Sequence, residues 1–565
     1  MSQPTSSPSA LPTTAALTTA APTTAAPTTA APTIASPSDP QAASDFNKIP
    51  LEVLLRISSS LTTPELGNLR LTCRSIEQSL FNTFMREFFT KRQFMLTEDS
   101  LQALVGISKS RLSDCLDHVI IGLNCFPAQY FSSGQEVRAN RYRKAHADHL
   151  TLVHSGQDVA MLAEAFRNLK NLHTVGIRDY NSRERQKRDG NHASWSSYGA
   201  TTLWKETGVD LLRNTNLEEA QQYANKVIIT LFAALGDAGA RPKAFEYLRK
   251  KDGVPTDDGF NLFPNYLKPK VAPVLEGLET LMLVVNVGSG PGRTTTGGSR
   301  PQHDYLLRHF LGYLPNLKHL RLNFHSIRAG VMEPVEDFIN WLGTPVPHDA
   351  VPATPSDGPL LHPAPPVAFP HLEELNLGFI DLAPRVLLNA IRKFAPCLKR
   401  LELWRVTLWN KAAEDPNARD LIRTNLWAQT LKALREIPHL ELDHVKIGQP
   451  NQRTLMMYTR AWFHRKDGPP DEKLMVQEYT GIDWKHYVGE LAARVKVEAP
   501  PEPESDSDEN DDDDDVDDSL ESADDLMDGE YAQIPSFTNP STSHPPVLTS
   551  SCQLMNQTMK KNDGA

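Results

Sequence analysis

Seven times between residues 100 and 445 the chain spaces apolar residues as Leu-x-x-Leu-x-Leu, with Val or Ile allowed. The sets are Leu116-Val119-Ile121, Leu172-Val175-Ile177, Leu278-Leu281-Leu283, Leu317-Leu320-Leu322, Leu372-Leu375-Leu377, Leu398-Leu401-Leu403 and Ile437-Leu440-Leu442. The last two positions of each set alternate, so they share one face of a short strand. Several sets follow a helix-like run and a Pro or polar turn, as in HFLGYLPNLKHLRLNF at 309–324 and RKFAPCLKRLELW at 392–404. Such a unit cannot bury its apolar face alone and must stack on the next one. The expected fold class is therefore α/β.

The template resembles the leucine-rich repeat. Successive sets start 56, 106, 39, 55, 26 and 39 residues apart, so only one interval falls in the usual range of about 20–29 residues. The resemblance implies an irregular, leucine-rich-repeat-like solenoid with loop insertions over 93–450, a substrate-binding region; an irregular α/β domain remains the alternative. Among the insertions, 217–235 has the apolar spacing of a helix ended by Gly236, while GSGPGRTTTGGSRP at 288–301 and the proline-rich 344–366 read as surface loops.

A second motif precedes the repeats. Residues 46–76 read FNKIPLEVLLRISSSLTTPELGNLRLTCRSI. Pro50 suits a first helical turn, and Thr63-Pro64 followed by Glu65 predicts a second helix start with an acidic residue near its positive end. Two or three short helices cannot enclose so many apolar side chains by themselves. The order Ile49-Pro50-Leu51-Glu52-Val53-Leu54, Ile57, Leu61, Glu65-Leu66 and Leu71-x-Cys73-Arg74 resembles an F-box, and the wording through FMREFFTKRQFML at 84–96 is similar to filamentous-fungal members. That resemblance covers 45–92. It implies docking on the Skp-type adaptor of an SCF (Skp–cullin–F-box) ubiquitin ligase through Pro50, Leu51, Glu52, Leu54, Ile57, Leu61, Leu66 and Leu69.

The flanks differ in composition. Residues 1–44 are a Thr/Ala/Pro tract with a five-residue TTAAP repeat, expected to be disordered. Residues 451–496 read as a C-terminal helical segment, with Trp484, Val488, Leu491 and Val495 at helical spacing. From 497 to 565 an acidic disordered tail is expected: Glu502 to Glu530 holds 17 carboxylates and no Lys or Arg. Without those charges the formal net −11 becomes +6, a mildly basic body with an acidic tail. Ser505 and Ser522 precede acidic residues in a context that suits acid-directed kinases.

Five scattered cysteines have neither disulfide nor metal-ligand spacing, and the N-terminus has no signal-peptide pattern. These features point to a cytoplasmic or nuclear protein. No P-loop, GxSxG, HExxH or strand-to-helix GxGxxG is present, so catalytic, cofactor-binding and metal sites are all expected to be none. His303-Asp304, His348-Asp349 and 371–374 read as loop or repeat surface. Two basic clusters stand out: Arg138, Arg141, Arg143 and Lys144, and Arg178, Arg183, Arg185, Lys187 and Arg188. They read as solvated loop charge or as a dock for an acidic or phosphorylated partner; their aromatic content is too thin for nucleic acid, and no membrane partner is expected.

The function these features imply is a substrate-recognition subunit, not itself an enzyme. It would hold the adaptor, and through it a cullin ligase, and bind a protein substrate through Arg321, Phe324, Trp404, Arg405 and His444 at strand ends. The alternatives are an F-box scaffold outside any ligase and an acid-tailed nuclear binder of basic proteins.

Overall fold

The structure, a computed structural model, describes residues 49–498 except 130, 213–215, 252, 288–303, 326–332, 347–363, 410–423, 455–456 and 466–471. The expected 1–44 tract, the acidic tail with Ser505 and Ser522, and most of both insertion loops lie outside the described residues. What is described is a mixed α/β fold with fifteen helices and a 14-stranded sheet.

Three helices begin it: α1 (Leu51–Ser59), α2 (Thr63–Thr72) and α3 (Arg74–Phe88). The cap of α2 is Thr62, one residue earlier than the sequence suggests: Glu65 Oε2 accepts from the Thr62 backbone N–H at 2.9 Å and from its hydroxyl at 2.8 Å. Strand β1 (Lys91–Phe94) then opens the sheet, followed by α4 (Glu98–Ser108), β2 (His118–Gly122), α5 (Glu136–His154), α6 (Gln157–Asn168) and β3 (Thr174–Arg178). Two helices, α7 (Gln186–Asp189) and α8 (Ala200–Thr207), form an excursion before α9 (Leu217–Ala238) and β4 (Ala244–Leu248). Helix α9 runs past Gly236 and ends at Gly239, whose φ of 67° is left-handed backbone that suits glycine.

The remaining units are α10 (Lys268–Glu276) with β5 (Thr280–Val285), α11 (Tyr305–Gly312) with β6 (His319–Phe324), and α12 (Glu333–Leu342) with β7 (Glu374–Leu382). Then come α13 (Pro384–Phe394) with β8 (Arg400–Trp409), and α14 (Leu426–Arg435) with β9 (His444–Gly448). Strands β1 to β9 pair in sequence order and all in parallel. Helices α4, α6, α9 and α10 pack on one another in turn, as do α12, α13, α14 and the last helix. Strands in sequence order joined by crossovers of one hand leave their helices on one face of the sheet.

The sequence repeat explains this layering. Leu320 and Leu322, Leu375 and Leu377, and Leu401 and Leu403 face the helices in register and are 3% exposed or less. The leading residue of each of the first six sets is buried in the turn before its strand, and Leu278, Leu317 and Leu372 are fully so. Each such side chain contributes about 1.5–3 kcal/mol of apolar burial. The seventh set sits differently from the sequence reading: β9 turns Val445 and Ile447 inward after Leu442, not Leu440 and Leu442 after Ile437.

Residues 451–498 are mostly strand rather than helix. β10 (Asn451–Thr454), β11 (Met457–His464), β12 (Lys473–Leu474), β13 (Val476–Thr480) and β14 (Val495–Val497) extend the sheet, with β10 parallel to β8 and β13 antiparallel to β9. The helix expected on Trp484, Val488, Leu491 and Val495 is present as α15 (Trp484–Arg494); all four residues are buried and the helix packs on α14. Among the described residues no helix is long and apolar enough to cross a membrane.

Candidate functional site

Two surfaces carry residues singled out by the sequence. The first is the N-terminal helical trio. Leu54 (4% exposed), Leu66 (3%), Ile76 and Leu80 fill its interior, while Leu51 (47%), Val53 (48%), Ile57 (37%) and Leu71 (56%) stand in solvent. Val53 and Ile57 are one turn apart and share the outer side of α1. Of the expected adaptor contacts, Pro50, Leu51, Glu52 and Ile57 are exposed, Leu61 and Leu69 half-buried, and Leu54 and Leu66 inaccessible. Those last two hold the trio together and cannot touch a partner in this state. Val53 and Leu71 are equally exposed but were not among the expected contacts, because an apolar helix position in a sequence reads equally as core or surface.

The trio is fastened to the sheet domain by the excursion after β3. The Arg188 guanidinium donates to the carbonyls of Ser58 (2.6 Å) and Leu61 (2.5 Å) and, through two nitrogens, to both Glu87 oxygens (2.6 and 2.7 Å). Asp189 Oδ1 accepts the Thr63 N–H at 2.7 Å, placing a carboxylate at the positive start of α2. Burial pushes the Asp189 carboxyl up, but its pairing with Arg185 and the Thr63 N–H outweigh this and hold it below its ordinary range. Trp195 completes the joint, edge-on to Phe88 at 5.6 Å and with the Arg92 and Arg185 guanidiniums over its ring at 4.9 and 5.2 Å. Arg185 and Arg188 of the second basic cluster are therefore joint residues rather than free surface charge. Arg178, its first member, is 2% exposed and 3.5 Å from Glu246.

The second surface is the sheet face opposite the helices. One cross-strand row runs Glu246, Met282, Arg321, Asn376, Glu402, Lys446, Glu478, and the row beside it runs His319, Glu374, Arg400, His444, Thr480. Facing pairs link them: Arg400 to Glu374 at 3.1 Å, Lys446 to Glu478 at 3.3 Å, and His444 Nδ1 to the Thr480 hydroxyl at 3.0 Å with its Nε2 3.4 Å from Glu402. Burial raises the Glu402 carboxyl, yet the His444 hydrogen bond and the Lys446, His444 and Arg321 charges together leave it below its ordinary value. The order hydroxyl, imidazole, carboxylate also occurs in nucleophilic catalysis. Here the Thr480–His444 contact is a directly opposed cross-strand pair, an ordinary element of sheet pairing.

Beside this face the backbone does something unusual. Phe379, Arg405 and Gln449 follow the aligned residues Gly378, Trp404 and Gly448 on β7, β8 and β9, and all three have positive φ (58°, 49° and 46°). Left-handed backbone costs a non-glycine residue about 1–2 kcal/mol. The three side chains meet: Arg405 lies over the Phe379 ring at 5.4 Å and donates to Gln449 Oε1. Trp404 lies across β9, where a Cβ on Gly448 would stand 2.2 Å from the indole; its Nε1 is buried without a hydrogen-bond partner among the described residues. Strain and an unsatisfied donor placed together characterise ligand-contacting regions more often than plain scaffold.

Of the five residues expected to face a substrate, Arg321, Trp404 and His444 lie on this polar face but are buried in it (8%, 8% and 4% exposed), and Arg405 lies beside it, half-buried, at the left-handed position after Trp404. Phe324 does not. It is 3% exposed and points into the helix layer, edge-on to Phe338 of α12 at 5.7 Å. Among the other groups weighed, Asp304 is tied to Arg308 at 2.6 Å, and burial raises the Cys125 thiol to about 11, which keeps it protonated. No group of His, Cys, Asp and Glu able to hold a metal occurs among the described residues. Compared with known proteins, the chain matches no family model and no curated protein.

Proposed function

We propose that this chain is a substrate-recognition subunit of an SCF-type ubiquitin ligase, with α1–α3 as the F-box and the sheet domain as a leucine-rich-repeat-like substrate receptor. The observation that carries the reading is the set Leu51, Val53, Ile57 and Leu71, four large apolar side chains left in solvent on a helical unit whose own interior is already filled. Single exposed apolar residues are ordinary, but a run of them on so small a unit marks a protein interface. The Arg188 and Asp189 contacts support it further, since they hold the adaptor-facing helices at a fixed angle to the sheet domain. A substrate receptor acts by proximity: it raises the effective concentration of a substrate lysine near the conjugating enzyme, and a loose joint would dilute that effect.

The substrate would lie on the polar sheet face beside half-buried Arg405, while Arg321 (8% exposed), Trp404 (8%) and His444 (4%) are buried within that face and would shape it from beneath. Affinity purification of the full chain tests the proposal. Adaptor and cullin should co-purify with the wild type and be lost together with Leu51→Ala/Ile57→Ala. Recovery of adaptor without cullin would instead favour a scaffold outside the ligase.

A further inference from the structure

The first basic cluster has no such internal role. Arg138 and Arg141 lie on the first turns of α5 and, with Lys205 of α8, line a cleft of about 450 Å³ that also includes Val137 and Glu206. Farther along α5, Lys144 is matched by Asp148 at 2.5 Å. Arg138, Arg141 and Lys205 have no ion-pair partner among the described residues. The cleft has one apolar lining residue, Val137, 66% exposed, and Trp204, which precedes Lys205 on α8 outside the lining, is 55% exposed. Guanidiniums recognise carboxylates through paired hydrogen bonds, and exposed Trp and Val give aliphatic side chains a place to rest. The complementary ligand is an acidic peptide with apolar residues among its carboxylates.

The chain contains one. Residues 519–530 read SLESADDLMDGE: Glu521, Asp524, Asp525, Asp528 and Glu530 surround Leu520, Leu526 and Met527. The run 511–515 is aspartate alone and would leave Val137 and Trp204 uncovered. Reach selects the same segment. The described chain ends beside β14, which pairs with β11 and so lies eight strand steps from β3; at about 4.8 Å per step that is roughly 38 Å. The 26 residues from Glu498 to Asp524 span up to about 85–94 Å when extended. The eleven residues to Glu509 reach only about 36–40 Å, with nothing to spare for the path around the molecule.

We propose that the α5–α8 cleft is a docking site for the chain's own segment 519–530, which covers Arg138, Arg141 and Lys205 until an acidic partner or salt displaces it. The proposal is independent of the adaptor surface.

Zero-length carbodiimide cross-linking of the full chain, read by mass spectrometry, tests it. At low salt, Lys205 should join Asp524, Asp525 or Asp528, with a yield unchanged on tenfold dilution and suppressed at 1 M NaCl, where the Debye length is about 3 Å. Arg138→Glu/Arg141→Glu should lower that yield at least fivefold with an unchanged circular dichroism spectrum. Leu526→Ser/Met527→Ser keeps every carboxylate and should lower it as well, which covers the case of a misfolded arginine variant. Three results overturn the proposal: no Lys205 product within 519–530, a yield that falls with dilution and so reports a second copy, or a yield that neither double variant changes.

Discussion

Arg188 and Glu87 are 101 residues apart and meet through two hydrogen bonds of 2.6 and 2.7 Å, while the same guanidinium closes the carbonyls of Ser58 and Leu61. One side chain thus ties the end of α1, the α1–α2 turn and the end of α3 to an excursion of the sheet domain. The relative placement of the chain's two candidate surfaces depends on it.

Replacing Arg188 by Ala leaves two carbonyls and a carboxylate without their donor. Hydrogen bonds to charged groups are worth about 1.5–3 kcal/mol each where water is excluded, and less here because Glu87 is partly exposed. The expected result is faster amide hydrogen exchange across 51–88 with little change in β5 to β9. Lys should rescue only partly, since it cannot reproduce the forked geometry. Equal exchange in wild type and Arg188→Ala would remove the joint from the account.

Asp257 lies in a short 3₁₀ turn (Asp257–Phe260) and caps a different element: its carboxylate accepts the Leu306 and Leu307 N–H groups at 3.0 and 2.8 Å, at the start of α11. Burial dominates over these bonds and pushes its pKa up to about 6. Because the folded state holds this proton more tightly than the unfolded chain, the contribution is fully present below about pH 4 and is lost as pH rises through 6. Asp257→Asn, which keeps one acceptor, should flatten the stability curve between pH 4 and 6.5. Asp257→Ala should cost about 1–2 kcal/mol at the acid end of that window and less at pH 6.5, because the contribution it removes fades as pH rises. Chemical denaturation of the three proteins at pH 4.5 and 6.5 checks both statements.

Gly448 has no room for a side chain. A Cβ there would overlap the Trp404 indole, so Gly448→Ala must lift Trp404 from β9. The expected cost is about 1–3 kcal/mol, in the range of overpacked sites, together with a shift of tryptophan emission that Trp404→Phe abolishes. An alanine tolerated with unchanged emission would mean that the indole does not lie across β9.

The repeat was legible because six of its seven sets are fixed by burial alone: the leading Leu and two alternating apolar residues have no other place to go. Strand β4 escaped notice because its inward pair is Phe245 and Tyr247 and Pro242 stands where the leading Leu is expected; β1 is only four residues long. The place of β9 was ambiguous because Leu440, Leu442, Val445 and Ile447 are all buried and the template fits twice, five residues apart, as Ile437-Leu440-Leu442 and as Leu442-Val445-Ile447. The left-handed row of Phe379, Arg405 and Gln449 left no trace, since none of those residue types favours positive φ. Nor could sequence separate Leu54 from Ile57: both are apolar helix positions, and which of them faces α3 is set by packing.

Under the proposed function, the exposed side of α1 binds a Skp-type adaptor. Isothermal titration of purified adaptor into the full chain, wild type against Leu51→Ala/Ile57→Ala, tests it without relying on other subunits. Both residues are exposed, so the variant should keep the wild-type melting temperature. Two anchors worth about 1.4 kcal/mol or more each should raise the Kd at least ~100-fold. Equal affinity for wild type and a folded double variant would contradict the account, as would no binding by the wild type.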